Sequence, residues 1–338
     1  GALLGVFCSG IIFILITLFG IREHIINAIP TELKNAAAAG IGLFIAFVGL
    51  QGAGFVVLDE ATLVRVGDLT EPTTLLAIVG VVLTVILIAS GVRGGIFYGM
   101  LVTALIGIIF KIIPMPSGIV GSIPDISPTF AAAFEPFGTT PFSEIFTVDL
   151  IVVILTFLFV DFFDTAGTLF AVANQAGYVK DNKLPRAQKA LFSDATATVV
   201  GSVLGTSTTT AYVESTAGIA AGARTGFASV VTGLLFLVAL FFSPLLTVFT
   251  SSVTAPALIV VGMLMARALS DIDWKKFEIA VPSFLVVIMM PLTYSIATGI
   301  ALGFIMYPIT MIAKGRAKEV HPIMYVLFFV FILYFVTR

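Results

Sequence analysis

Long apolar runs, cut by short clusters of Pro, Gly and charge, set the rhythm of this chain. A run of about 20 apolar residues is long enough to cross a bilayer as a helix, and Pro, Gly and charge mark where one run stops and the next begins. The pattern predicts crossings at about 1–20, 35–58, 73–91, 94–113, 148–174 and 187–205. More follow at about 224–249, 254–269, 278–294, 297–313 and 321–336. Residues 206–223 break the rhythm. The TSTTT run at 206–210 is β-branched and polar, and the apolar piece behind it is long enough only for half a span. The pattern therefore predicts a broken crossing, extended backbone and then a short helix. Such backbone survives at membrane depth only where it lines a protein cavity.

Composition turns the spans into a class. The chain is 59% hydrophobic and 11% charged over 338 residues, against roughly 25% charged in soluble domains, so an all-α polytopic membrane protein is expected. A net charge of −2 with no Lys/Arg run points away from nucleic acid. Cys8 is the single cysteine, which excludes a disulfide framework and a thiolate metal site. His24 and His321 border apolar spans and read as interfacial residues.

Charge also orients the spans. With 206–223 counted as one crossing, alternate loops collect Arg22, Lys34, Arg93, Lys180, Lys183, Arg186, Lys189, Arg224, Arg267, Lys275, Lys276, Lys314, Arg316 and Lys318. The opposite side holds Arg65, Lys111 and Arg338. A basic excess of fourteen of the seventeen Lys and Arg residues marks the cytoplasmic side. The 176–186 loop then lies inside, and the acidic 59–72 and 114–147 loops lie outside. A re-entrant loop at 206–223 would scramble every later loop.

Two four-crossing blocks match in spacing, starting near 1, 35, 73 and 94 and near 224, 254, 278 and 297. Residues 41–51 (IGLFIAFVGLQ) echo 256–266 (PALIVVGMLMA), and GIFYG at 95–99 echoes GIALG at 299–303. The blocks enter from opposite sides, which predicts an inverted repeat of the kind secondary transporters use. Three crossings before the second block (148–174, 187–205 and 206–223) have no counterpart ahead of Gly1. The expectation is a fourteen-helix transporter lacking its first three helices, with the span at 321–336 outside the repeat.

The candidate chemistry is intramembrane acid. Asp161 and Asp164 lie inside an apolar span, where a charge costs roughly 2.5–3.5 kcal/mol on insertion scales and marks function by default. Their i, i+3 spacing puts them on one helix face, with Thr165, Gly167 and Thr168 beside them. An ionised carboxylate suits a neutral heterocycle with N–H donors, and a desolvated carboxyl takes up a proton more readily. Asp161 also fits a helix-bonding role. Glu214 opens the half-helix behind the Thr-rich stretch, where free N–H groups invite acceptor atoms. It also fits a plain first-turn acid. Ser207, Thr208, Thr209 and Tyr212 stand near it, with strand-like hydrogen bonding as their simplest role. Asp194 reads as a membrane-end acid pairing with Lys or Arg, Arg224 and Arg267 as headgroup anchors, and Phe328, Phe329 and Phe331 as lipid-facing. The sequence contains no metal-ligand cluster, phosphate-cradling loop or nucleophile triad, and no cofactor is expected.

At 160–169 (VDFFDTAGTL), 183–195 (KLPRAQKALFSDA), 205–226 (GTSTTTAYVESTAGIAAGARTG) and 254–265 (TAPALIVVGMLM), the chain resembles AzgA-like hypoxanthine/guanine/adenine permeases of the nucleobase–ascorbate transporter fold group. The resemblance runs over essentially the whole chain. It implies seven-plus-seven inverted repeats with core and gate domains, and proton-coupled purine uptake by elevator movement across the cell membrane. Residues 1–34 would then be the last core helix of the first repeat and a linker, 35–147 its gate helices and outer loop. Residues 148–250 would be core helices of the second repeat, with 206–223 broken, 251–313 its gate helices and 314–338 an extra helix. The resemblance makes Asp164 the substrate- and proton-linked acid, Asp161 the second acid of the same helix and Glu214 the base-contacting acid. Thr168, Thr209, Tyr212 and Ser215 flank these positions. The partners implied are a purine, a proton, the lipid bilayer and a second copy through the gate domains. Two rival readings are an anion carrier of the same fold and an Asp-motif membrane enzyme. The first should keep a cation at the half-helix, where Glu214 stands, and the second needs more acids than the loops supply.

Overall fold

The computed structural model describes residues 2–20, 24–25, 28–92, 94–123, 125–139, 141, 145, 147–179, 184–212 and 215–336. In chain order its longer helices are α1 (Ala2–Leu18), α2 (Thr31–Gly52), α3 (Pro72–Ala89), α4 (Gly95–Ile109), α5 (Val148–Gln175) and α6 (Ala187–Leu204). They continue as the short α7 (Ser215–Ala220), then α8 (Gly226–Ala239), α9 (Ser251–Met265), α10 (Phe277–Thr293), α11 (Ile296–Ala313) and α12 (Pro322–Val336). Five stretches, Thr31–Gly52, Pro72–Ala89, Gly226–Leu246, Ser251–Asp271 and Ile296–Ala313, are long and apolar enough to cross a membrane. The fold is helical and polytopic in character.

The described residues form two compact units, one of Gly1–Gly40, Asp125–Val213 and Ala268–Arg338, the other of Ile41–Pro124 and Glu214–Arg267. Between helices already in hydrocarbon, close packing replaces hydrophobic driving force, so contacts fall on small residues. In the first unit α1 lies against α5 and α6 through its glycines. A Cβ on Gly5 would stand 2.7 Å from Val153, and one on Gly10 would stand 2.8 Å from Val199. The antiparallel pair α10–α11 closes on Gly299 and Gly303, which face Met290 and Val286. The N-terminal half of α2 joins this pair, since a Cβ on Gly40 would lie 3.2 Å from the Val286 carbonyl oxygen. Beyond α11, Phe304 meets Phe331 of α12 edge-on, with ring centroids 5.8 Å apart.

The second unit repeats the device. Gly95 and Gly99 of α4 face Ile88 and Thr84 of α3, and Gly80 of α3 faces Pro256 of α9 and Thr103 of α4. Buried Leu76, Ala104, Ile113 and Val253 fill the space between them. Gly42 and Gly49 of α2 sit against α9. No residue of α8 is buried.

Several sequence expectations are corrected. The span expected at 35–58 is a helix only over Thr31–Gly52. Gly54, at φ +77°, turns the chain, and Val56–Asp59 (β1) pairs antiparallel with Leu63–Val66 (β2). The Asp59 carboxylate accepts from the Ala61 and Thr62 amides and fixes the turn between the strands. Hydropathy merged β1 with the helix because Val and Leu serve both. The span expected at 224–249 stands, since Gly226–Leu246 is long and apolar enough to cross, with a local 3-10 segment at Leu240–Phe242 ahead of Pro244. Phe331 is buried against Phe304 instead of facing lipid.

One ion-pair group ties the loop before α12 to α10. Arg316 donates to Glu278 at 2.8 Å from Nη1 and to Glu319 at 2.9 and 2.6 Å from Nε and Nη2. These hydrogen bonds hold the Glu319 carboxyl below its ordinary range of about 4.3. A depressed carboxyl stabilises the fold above its unfolded pKa and loses that contribution as pH falls through its folded value. Arg316→Gln should therefore lower the melting temperature of the solubilised protein at pH 7. The gap to the unmutated protein should close as the pH drops below about 4. A gap that does not narrow at all as the pH falls below about 4 would contradict the ionic account.

Candidate functional site

α5 starts at a Thr147 cap, whose hydroxyl accepts from the Leu150 amide at 3.2 Å. From there Asp161, Thr165 and Thr168 follow at i, i+4 and i+7, on one face, and all three are buried in the first unit. The Thr165 hydroxyl reaches across to α6, to the Asp194 carboxylate, with both oxygens at 3.2 Å. This bond ties Asp194 to the α5 acid face. Asp164 lies on the α5 backbone one turn before Thr168, but its side chain and the whole of Glu214 lie outside the described residues.

The broken crossing begins at the end of α6. Gly205 takes φ +93°, the Gly205 amide donates to the Ser202 carbonyl at 3.3 Å and the Thr206 amide to the Gly201 carbonyl at 2.9 Å. This pair of bonds is the Schellman ending, which needs a residue without Cβ at the left-handed position. It turns the chain back alongside α6. Residues 208–212 then carry no regular secondary structure before α7 begins at Ser215. Thr209 is held by Thr198 of α6, whose hydroxyl accepts from the Thr209 amide at 3.2 Å and donates to its carbonyl at 3.1 Å. Tyr212 is 65% exposed, and Ser215 is exposed at the first turn of α7. Arg224 donates to the carbonyls of Ile219 and Ala223 and so closes the far end of this stretch.

Among the sequence candidates, Asp161 and Thr168 share the α5 face and Thr209 rests on α6. Thr198, Gly201 and the Thr165–Asp194 bond are additions the sequence reading missed. A signal was present: Leu191, Ala195, Thr198 and Ser202, all buried, recur at helical spacing as a mostly small stripe.

Two cavities lie elsewhere. One of about 20 Å³, room for about one water, sits in the first unit among Leu33, Lys34, Gly167, Phe170, Ile300 and Phe304. The other, of about 680 Å³, lies in the second unit with Ile88, Phe97, Met100, Leu258 and Val261 on its walls and Thr254 as its polar side chain. It lacks the cluster of donors and acceptors that a polar heterocycle needs. Lys34, buried in the first turn of α2, has its ammonium 5.0 Å from the Phe170 ring centroid. A desolvated cation over an aromatic face gains up to about 2 kcal/mol, so this contact fastens α2 to the helix carrying the acids. Lys34→Met should lower thermal stability by about 1–2 kcal/mol while Lys34→Arg costs less. Equal losses in the two would contradict a cation–π role.

Comparison with known proteins is consistent along the chain. The profile of a permease family matches residues 1–302. The guanine/hypoxanthine permease PbuG of Bacillus subtilis (strain 168) is 62% identical over 335 residues, 99% of this chain and 75% of that protein. PbuO, a second guanine/hypoxanthine permease of that organism, is 45% identical over 330 residues, covering 97% and 76%. The adenine permease AdeQ of Escherichia coli (strain K12) is 38% identical over 317 residues, covering 94% and 70%. With its apolar spans, the chain is a multi-pass membrane protein of transporter type and not an enzyme.

Proposed function

Because this chain belongs to the permease family, we propose that it is a proton-coupled symporter of purine nucleobases such as hypoxanthine, guanine and adenine. The observation that carries this reading is the acid- and hydroxyl-bearing face of α5, in a chain whose relatives are named as guanine/hypoxanthine and adenine permeases. A purine is neutral and flat, with ring N–H donors and ring nitrogen or carbonyl acceptors. In this reading Asp164 and Glu214 accept its N–H groups, while Thr168, Thr209, Tyr212 and Ser215 supply hydroxyls.

Proton coupling follows from the cost of charge in hydrocarbon. A site with an extra carboxylate cannot cross the bilayer cheaply. Taking up one proton among Asp161, Asp164 and Glu214 removes that charge, and the bound base satisfies the remaining acceptors. Loaded in this way, the core helices move against the gate helices as an elevator. The inverted repeat belongs to the same proposal and is supported by matched packing. Gly95 and Gly99 press on Ile88 and Thr84, as Gly299 and Gly303 press on Met290 and Val286. In both pairs the two glycines are four apart and so are the residues they face. A homodimer through the gate helices completes the reading. No described residue favours the anion-carrier alternative.

The test is uptake of radiolabelled hypoxanthine into cells lacking their own purine permeases, at two external pH values. Saturable uptake that is faster at the lower pH is expected. Asp164→Asn and Glu214→Gln should each abolish it with the protein still in the membrane. Unchanged uptake in both variants would remove the site assignment.

A further inference from the structure

We infer that Thr198 is a positioning residue that sets the register of the broken crossing, with Gly201 as the seat on which the crossing rests. The inference deepens the purine reading, because the segment it holds carries Thr209 and leads to Tyr212, Glu214 and Ser215.

The argument starts from the backbone. An extended segment at membrane depth has amide and carbonyl groups that no helix satisfies, and an unpaired group there is costly. Among the described residues the only sheet is β1–β2, and it does not include residues 206–212. The Thr198 hydroxyl satisfies one residue of this segment. A hydroxyl can donate once while accepting, and here it does both toward Thr209, at 3.1 and 3.2 Å. Two directly opposed residues of an antiparallel pair exchange bonds in the same way. One side chain thus reads one backbone residue, and a slip of the segment by one position would reverse which side chains face α6.

Two neighbours fix the hydroxyl's aim. Thr is stiff at χ1, and the Thr198 methyl points at α1, where a Cβ on Gly10 would lie 3.3 Å from it. With the methyl seated there, the hydroxyl turns toward Thr209. One turn on, a Cβ on Gly201 would lie 2.5 Å from the Thr209 hydroxyl and 3.0 Å from the Thr206 methyl. The segment therefore lies in a groove that exists because residue 201 has no side chain. Thr198 is buried and reaches the candidate site only through the Thr209 backbone, so its role is positional.

Thr198→Val keeps the shape and the methyl but removes both hydrogen bonds, and Thr198→Ser keeps the hydroxyl. Gly201→Ala adds a group that must displace the segment, yet it raises helix propensity, so α6 itself is not weakened. Each is measured in the full-length protein by the KM and maximal rate of hypoxanthine uptake. Each is also measured by the rate at which a hydrophilic maleimide labels Thr210→Cys in a Cys8→Ser background. Thr198→Val and Gly201→Ala should raise KM more than about tenfold with unchanged protein in the membrane, and both should change the labelling rate. Thr198→Ser should stay near the unmutated protein in both readouts. Unchanged KM and labelling in the Val and Ala variants would overturn the inference while leaving purine transport intact. Loss of Thr198→Val from the membrane leaves Gly201→Ala to decide by the same criteria. An unmutated protein that takes up no purine overturns the functional reading instead, and labelling alone then decides the register.

Discussion

Hydrocarbon supplies no hydrogen bonds, and that constraint governs this molecule. Helices meet it internally, which is why the chain is a series of helices. Residues 206–212, which are not helical, need partners outside a helix, and neighbouring side chains supply some of them. The Schellman ending at Gly205 returns the chain along α6, and Thr198 satisfies Thr209 on both sides. A segment secured in this way can present polar groups at depth without collapsing into a helix. On α5 the buried hydroxyls of Thr165 and Thr168 share a face with Asp161, and Thr165 links that face to Asp194.

Close packing is the second requirement. With lipid as apolar as the helices, association depends on backbones approaching closely. Glycines provide the approach at many helix contacts: Gly5 and Gly10 on α1, Gly40, Gly42 and Gly49 on α2, Gly99 on α4 and Gly303 on α11. At one helix end Arg316 gathers Glu278 and Glu319, and Lys34 is buried with its ammonium over Phe170 on the acid-bearing helix.

Much of this was legible in the sequence for a simple reason: a charge inside an apolar run is rare enough to be read directly. Asp161 was found that way, and the TSTTT run announced broken helix by its β-branched polar composition. Contacts between elements were not legible. The Thr165–Asp194 bond was invisible because nothing in the sequence tells that the two residues stand across from each other. Phe331 looked lipid-facing because apolar residues mark lipid and helix neighbours alike. Strand β1 was absorbed into the crossing expected at 35–58 because a turn made by Gly54 and Asp59 leaves no mark on hydropathy. The stripe of Ala195, Thr198 and Ser202 was visible, but its partner lies in a segment without period.

The central claim is that a neutral purine and a proton cross together. Reconstituted into sodium-free liposomes on a solid-supported electrode, the full-length protein should answer a pulse of hypoxanthine with a transient current. That current should carry positive charge in the direction of the purine, because the base brings none of its own. It should grow as the pH on the purine side falls. A current that requires sodium, or one evoked by small anions and not by purines, would contradict the account.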